Sequence, residues 1–181
     1  MKNLTKSLIL IVGLIFAMMM LACELQNDIE IGQITNYDFE GSEEIPEFET
    51  IVDAIRWVSR NMVYVSDEGD YWQTPEETFY RRNDENKMMG DCEDKVILLQ
   101  YIIDIQFHIP SYMIIVQLPN EKGAHAMTYV DNFYYEIPEG EGNLIVSLPR
   151  LRDNIKIIYT IPYSKVMWMT VNYHDGVGEY E

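Results

Sequence analysis

The chain has 181 residues and a formal net charge of −17 at pH 7, with 13 lysine and arginine residues against 30 aspartate and glutamate residues. A chain this acidic argues against nucleic acid and anionic membrane surfaces as partners, whereas cations and basic or neutral polypeptides are compatible with it. Its length favours a single domain with one core.

Residues 1–22 have the features of a secretory signal peptide. Lys2 and Lys6 give a positive start, and an almost wholly apolar run follows from residue 8 to residue 22. That run of about 15 residues suits a signal peptide better than a spanning helix, which needs roughly 20. The Leu-Ala-Cys ending at Cys23 resembles the lipobox of bacterial lipoproteins, with Met20 where leucine is usual. The resemblance implies a lipidated Cys23 and a membrane-anchored protein outside the cytoplasm, and an uncleaved signal anchor is the alternative.

The mature chain divides into a tether, a domain and a tail. Residues 23–46 are acidic and lack a sustained hydrophobic period, which predicts a tether between the lipid and the domain. We expect the domain at residues 47–173 and a short polar tail at residues 174–181. The first helix of the domain is predicted from a helical face of apolar residues: Phe48, Ile51, Val52, Ile55, Val58 and Met62.

Two further helices have strong start signals. Thr74, Pro75 and Glu77 have the spacing of an N-cap, a first-position proline and a capping box, which predicts a short helix. Asp91 and Asp94 have a similar spacing around the next start, so Cys92 should be the first residue of that helix. We expect it to end near residue 107, because a proline follows at position 110.

Cys92 has the setting of a reactive thiol. A helix N-terminus favours the thiolate, which is the nucleophilic form of cysteine. If Cys23 carries lipid, Cys92 has no intramolecular partner. An unpaired thiol in an oxidising compartment is more often kept for reactivity than for packing.

After residue 110 the chain is rich in strand-forming segments. Six strands are predicted, at residues 112–118, 124–130, 133–137, 144–148, 155–159 and 166–171. Helices followed by strands indicate an α+β domain in which the Cys92 helix packs on an antiparallel sheet.

A nucleophilic thiol needs a base, and the chain has three histidines. His174 lies in the tail, and His108 lies at the far end of the Cys92 helix, so His125 is the best candidate. If Asp131-Asn132 is a two-residue hairpin turn, Glu136 lies diagonal to His125 on the same face of the sheet. Glu136 can then orient the imidazole.

These segments resemble the transglutaminase-like superfamily, and most of all the bacterial transglutaminase-like cysteine peptidases. The similar segments are Gly90-Asp91-Cys92-Glu93-Asp94, His125-Ala126-Met127, the strand from Phe133 to Pro138, and Trp72-Gln73 with the residues that follow. The resemblance implies a papain/transglutaminase-like fold and a Cys92–His125–Glu136 triad. Three residues depart from the family pattern: Glu136 replaces the usual aspartate, Met127 replaces tryptophan, and His108 replaces glycine.

Such a triad performs acyl transfer on a protein or peptide substrate without a required cofactor. Cys92 attacks an amide carbonyl, His125 moves the proton, and Glu136 holds the imidazole. The backbone N–H of Cys92 is one candidate oxyanion donor, and Trp72 or Gln73 is a second. Water as acceptor gives proteolysis or deamidation, a lysine amine gives crosslinking, and the resemblance favours a peptidase.

The three acids around the thiol allow two interpretations. Asp91, Glu93 and Asp94 oppose thiolate formation, and a bound Ca²⁺ would neutralise them. The alternative is that they cap the helix and are solvated. Two functions without catalysis also fit the sequence: a degenerate lipoprotein that binds a peptide or protein, and a calcium-stabilised structural domain.

Overall fold

The computed structural model describes residues 37–66, 69, 71–119, 123–137, 146–148, 151 and 155–173. The predicted signal peptide, Cys23, the first part of the tether and the tail with His174 lie outside these residues. The chain divides into two units, Met1–Tyr37 and Asp38–Glu181, and the architecture below is that of the second unit.

The described elements form a mixed α+β fold. A short 3₁₀ turn at Ser42–Glu44 is followed by four α-helices: α1 (Ile51–Asn61), α2 (Pro75–Tyr80), α3 (Cys92–Ile102) and α4 (Tyr163–Tyr173). The seven strands are β1 (Met62–Tyr64), β2 (Met88–Gly90), β3 (Ser111–Gln117), β4 (Ala124–Val130), β5 (Phe133–Glu136), β6 (Val146–Leu148) and β7 (Lys156–Pro162). Strands β1 and β2 form a small parallel pair, and the other five form one antiparallel sheet in the order β6-β5-β4-β3-β7.

The two predicted helix starts, at Pro75 and Cys92, are confirmed, and α1 has a cap that was not predicted. Thr50 caps α1 through its side chain, which accepts from the backbone N–H of Asp53. Thr74 and Glu77 form the predicted capping box of α2, with Pro75 at its first position. Capping satisfies backbone donors that a helix cannot pair internally, and such side chains lie within a few residues of the helix start.

Helix α3 is the centre of the domain. From Asp94 to Ile102 every residue is buried, and the helix packs on the sheet, on α1 and on α4. A π-helical segment continues it from Ile103 to Phe107. His108 then ends the helix in the left-handed region at φ +54°, the conformation that glycine most often supplies at this place. The predicted end near residue 107 is therefore confirmed.

The β4–β5 hairpin has the predicted register. Asp131 and Asn132 both have positive φ, +48° and +66°, as a type I′ turn requires. Val130 pairs with Phe133, and the ladder continues to Thr128 and Tyr135.

The sixth predicted strand, residues 166–171, is wrong, because this segment belongs to helix α4. Its apolar run is too short to distinguish a strand from a buried helix. The structure buries Tyr163, Val166, Met167 and Thr170, and this spacing of three and four residues is that of one helix face. The preceding strand β7 correspondingly extends to Pro162, beyond the predicted end at residue 159.

The domain also begins before the predicted boundary at residue 47. Phe39 and Ile45, assigned to the tether, are only 7% and 5% exposed. The Phe39 ring lies 5.4 Å from the Tyr101 ring of α3 and 5.6 Å from the Phe79 ring of α2. The acidic composition predicted a tether, but two apolar side chains suffice to dock this segment on the core.

Hydrogen bonds also hold residues 38–48 against the rest of the domain. Gln106 accepts from the backbone N–H of Phe48 at 3.0 Å and donates to the carbonyl of Pro46 at 2.9 Å. The Tyr101 hydroxyl donates to Asp38 at 3.2 Å.

None of the helices in the described ranges has the length and hydropathy that crossing a membrane requires.

Replacing Phe39 with alanine should lower the free energy of unfolding by about 3 kcal/mol, because a buried aromatic ring leaves a cavity between α2 and α3. Urea unfolding of the full chain measures this change. Glu47→Ala, at an exposed position just after this segment, is the control and should change stability by less than about 0.5 kcal/mol. Equal effects of the two substitutions would mean that residues 38–46 are a tether after all.

Candidate functional site

Cys92 lies where helix α3 begins beside strand β4. It is a free, partly buried cysteine, and its Sγ donates to Oε2 of Glu93 at 3.0 Å. The backbone N–H of Ala126 also interacts with this sulfur. Ala126 follows His125 on β4, so the thiol lies beside the strand that carries the predicted base.

His125 and Glu136 lie together on the sheet. Nε2 of His125 is 3.7 Å from Oε1 of Glu136, and the side chains are 23% and 43% exposed. The hairpin register causes this contact, because position 136 continues the β5 ladder one step beyond Tyr135 and comes diagonal to position 125. At 3.7 Å the contact is electrostatic and longer than a hydrogen bond, so it orients the imidazole toward the carboxylate without fixing which ring nitrogen carries the proton.

The thiol is held in its protonated form. Burial raises the pKa of Cys92 far above its ordinary value, and the Glu93 carboxylate raises it further by its charge and by accepting the thiol proton. The Ala126 N–H lowers the pKa of Cys92, but its effect is smaller than those of burial and Glu93. Burial and a neighbouring negative charge therefore act against the thiolate that the helix terminus was expected to favour.

Glu93 is itself strongly perturbed. Burial and the nearby charge of Asp91 raise the pKa of Glu93 to about 8. A carboxyl group with this pKa is largely protonated at neutral pH and becomes negative in mildly alkaline solution.

Asp94 connects the start of α3 to the loop before α2. Its side chain is fully buried. Its Oδ1 accepts from the backbone N–H of Gln73 at 2.9 Å, and its Oδ2 accepts from Nε2 of Gln73 at 2.5 Å and from the backbone N–H of Asp91 at 3.1 Å. The sequence predicted the contact with Asp91 as a capping box, but the contacts with Gln73 span 21 positions and carry no local signal.

Trp72 and Gln73, the predicted oxyanion or substrate-lining residues, are each only 1% exposed. Gln73 directs its amide nitrogen to Asp94, so its side chain fixes the loop to the helix start. Both residues are therefore buried beneath the surface of the site, where they hold the loop against the start of α3.

The three acids predicted to bind Ca²⁺ do not form one ligand set. Both oxygens of Asp94 accept hydrogen bonds from N–H groups, which leaves Asp91 and Glu93 beside the thiol. In the parts of the chain that the structure describes, no group of three or more His, Cys, Asp or Glu side chains is arranged to hold a metal ion. Calcium binding stays a prediction.

Tyr64 and Lys95 also belong to the site, and the sequence analysis did not identify them. Tyr64 ends β1 opposite Gly90, and its ring is 48% exposed. Burial raises the pKa of Tyr64, and interactions with Cys92 and Asp91 raise it further, which places its hydroxyl near these two groups. Nζ of the buried Lys95 lies over the Tyr64 ring, 5.6 Å from its centroid. A short strand and a lone lysine in an apolar helix carry no distinctive sequence signal.

Substituting Gly90 with alanine should destabilise the site. A Cβ at this position would lie 2.7 Å from both Cβ and Oδ2 of Asp94, so the buried carboxylate or the β2 backbone would have to move. We expect a loss of about 2 kcal/mol in the free energy of unfolding. Gly123→Ala is the matched control, because a Cβ there meets nothing within 4 Å. Equal losses in the two variants would contradict the close packing of Asp94.

Glu93→Gln should stabilise the protein at pH 8 and have little effect at pH 5. The folded-state pKa of Glu93 is raised from 4.5 to about 8, so the folded protein binds the proton more tightly than the unfolded chain. Stability is therefore highest below the unfolded pKa and falls as the pH rises through about 8. Since one pKa unit corresponds to about 1.4 kcal/mol, we expect the variant to gain about 2 kcal/mol or more over wild type between these pH values.

Guanidinium unfolding at pH 5 and pH 8 measures this difference. Glu85→Gln, which removes the same charge from an exposed turn, is the control and should follow wild type at both pH values. A Glu93→Gln variant that is no more stable than wild type at pH 8 would show that Glu93 titrates normally.

Comparison with known proteins found no relative of this chain. The chain matches no protein-family model, and no curated protein is detectably similar to it. The chemistry of the site therefore has to be argued from its own residues.

Proposed function

We propose that the protein is an extracytoplasmic cysteine-dependent acyl-transfer enzyme, most simply a peptidase that acts on a protein substrate. The observation that carries this proposal is the arrangement on β4 and β5. His125 lies 3.7 Å from Glu136, and the residue after His125 offers its backbone N–H to the Cys92 sulfur. The proposal assigns Cys92, His125 and Glu136, which lie on three elements, the roles of nucleophile, base and orienting acid.

In the proposed reaction, the Cys92 thiol gives its proton to the imidazole of His125 while Sγ attacks a substrate amide carbonyl. Glu136 holds the imidazolium that forms. The carbonyl oxygen becomes negative, and the Cys92 backbone N–H at the helix start is placed to stabilise it. The proton on His125 then passes to the leaving amine, and water hydrolyses the thioester to release the acid and restore the thiol.

Family and location are part of the same proposal. An α+β fold with the cysteine-bearing helix on an antiparallel sheet is consistent with the papain/transglutaminase-like architecture that the sequence resembles. The apolar N-terminus ending at Cys23 supports a lipid-anchored enzyme that meets its substrate outside the cytoplasm.

A noncatalytic protein-binding lipoprotein is the second candidate. The observation that favours it is the thiol itself, because burial and Glu93 raise the pKa of Cys92 and so oppose the nucleophilic form. A binding module would tolerate this arrangement, whereas an enzyme must relieve it when substrate binds.

The two candidates differ in their need for Cys92 and His125. The full-length protein, incubated with a peptide library, should generate new peptide termini that mass spectrometry detects. Cys92→Ser should abolish them, and His125→Asn should slow their appearance by about 100-fold or more, because general base catalysis is lost. Glu136→Gln should slow it less and shift the pH profile, since only the orientation of the imidazole is weakened.

His108→Asn is the matched control for His125→Asn. It makes the same exchange at the helix end, where asparagine accepts the positive φ of His108. It should leave cleavage unchanged. Cleavage that survives in Cys92→Ser, or wild-type protein that binds peptides without ever cutting them, would favour the binding module.

A further inference from the structure

An exposed aromatic ring lies beside the proposed nucleophile. Tyr64 ends β1, and in the parallel β1–β2 pair it lies opposite Gly90, two residues before Cys92. Paired residues of neighbouring strands direct their side chains to the same face. A Cβ on Gly90 would point at Asp94, in the first turn of α3. The Tyr64 side chain therefore projects to the side of the pair on which α3 begins, and there it interacts with Cys92 and Asp91.

Lys95 holds the inner face of this ring. It is only 2% exposed, and its Nζ lies over the ring, 5.6 Å from the centroid. The face of a tyrosine ring attracts a cation, and the attraction is larger where the cation is shielded from water. Lys95 follows Cys92 by about one helical turn. The helix that carries the thiol therefore also holds the Tyr64 ring beside it.

The outer face of the Tyr64 ring is open. The residue is 48% exposed. Since Lys95 is buried, the ring face that it contacts is turned to the protein, and the opposite face is turned to solvent. A second cation gains little on this ring, because Lys95 already has its attraction and repels another positive charge. A neutral aromatic ring can stack on the open face in an offset or edge-to-face arrangement.

We propose that Tyr64 is a specificity-determining residue of the Cys92 site, whose ring receives an aromatic side chain of the substrate. The substrate class is then a polypeptide with a phenylalanine, tyrosine or tryptophan next to the reacting carbonyl. Lys95 is the positioning residue that holds the ring for this contact. This inference rests on the proposed function for its biological meaning, but its test needs no turnover.

Thiol reagents that differ in the attached group test the inference. The full chain with Cys23→Ser has Cys92 as its single thiol. It is treated with methanethiosulfonates that carry a benzyl, a cyclohexylmethyl or a methyl group. In each reaction the Cys92 sulfur forms a disulfide with the reagent's divalent sulfur, the bond from that sulfur to the sulfonyl group breaks, methanesulfinate leaves, and the thiol proton passes to buffer.

Mass spectrometry gives the three rates, and each is divided by the rate of the same reagent with N-acetylcysteine. This division removes the intrinsic differences between the reagents. All three reagents react with the same thiolate, so the ratio of two normalised rates is independent of the pKa of Cys92.

In the wild-type background the benzyl reagent should react about fivefold or more faster than the other two, because its flat ring stacks on Tyr64. Tyr64→Leu keeps an apolar side chain but removes the ring, and should remove this preference. Tyr64→Phe should keep the preference. Tyr173→Leu is the matched control, since it makes the same exchange at a tyrosine that is 52% exposed on α4, and it should change nothing.

Lys95→Met should reduce the preference, because the ring is no longer held. Lys95→Arg keeps a cation over the ring and should restore the preference, which a purely structural role of this lysine does not predict. These two variants also test the inference if Tyr64→Leu does not fold.

Equal normalised rates of the three reagents in the wild-type background would overturn the inference, and so would a benzyl preference that survives in Tyr64→Leu. An equal preference for the cyclohexylmethyl reagent would also overturn it, because the site would then select apolar bulk and not an aromatic ring. These rates are independent of peptide cleavage, so a failure here leaves the peptidase proposal standing, and the reverse also holds.

Discussion

The site depends on one buried carboxylate, that of Asp94. A fully buried negative charge is tolerated only when hydrogen bonds replace its lost hydration, and Asp94 accepts three from N–H groups. Two of them come from Gln73 and one comes from Asp91, so a single side chain joins a distant loop to the start of α3. The space it occupies also explains why position 90 is glycine. The helix terminus that carries Cys92 is thereby fixed in place.

The start of α3 has two opposing effects on the thiol. It places the sulfur at the sheet, and it also places an acid where it keeps the thiol protonated. Starting the helix at Cys92 brings its sulfur to strand β4, at the backbone of Ala126. The acid that follows it, Glu93, occupies the first turn where acids stabilise a helix, but there it also holds the thiol proton. The position of the thiol suits the proposed reaction, whereas burial and the neighbouring acids oppose its ionisation.

The helix starts and the hairpin turn around the site were the features most predictable from sequence. Thr74, Asp91 and the Asp131-Asn132 turn act on neighbours within a few positions, so their patterns predicted helix starts and a hairpin register that the structure has. The contact of Glu136 with His125 followed from that register by counting residues. Helix α4 was not predictable in this way, since its short apolar run fits a strand as well as a helix until its packing partners are known.

The sequence by itself determined the local features: the caps, the turn, the order of the elements and the residues available for chemistry. Only the tertiary structure decided that Phe39 docks on the core, that Gln73 pairs with Asp94, and that the Cys92 thiol keeps its proton. The physical reason is that caps and turns depend on interactions within a few residues. Burial and charge proximity instead depend on which distant segments pack together, and the pattern of one segment does not contain that information.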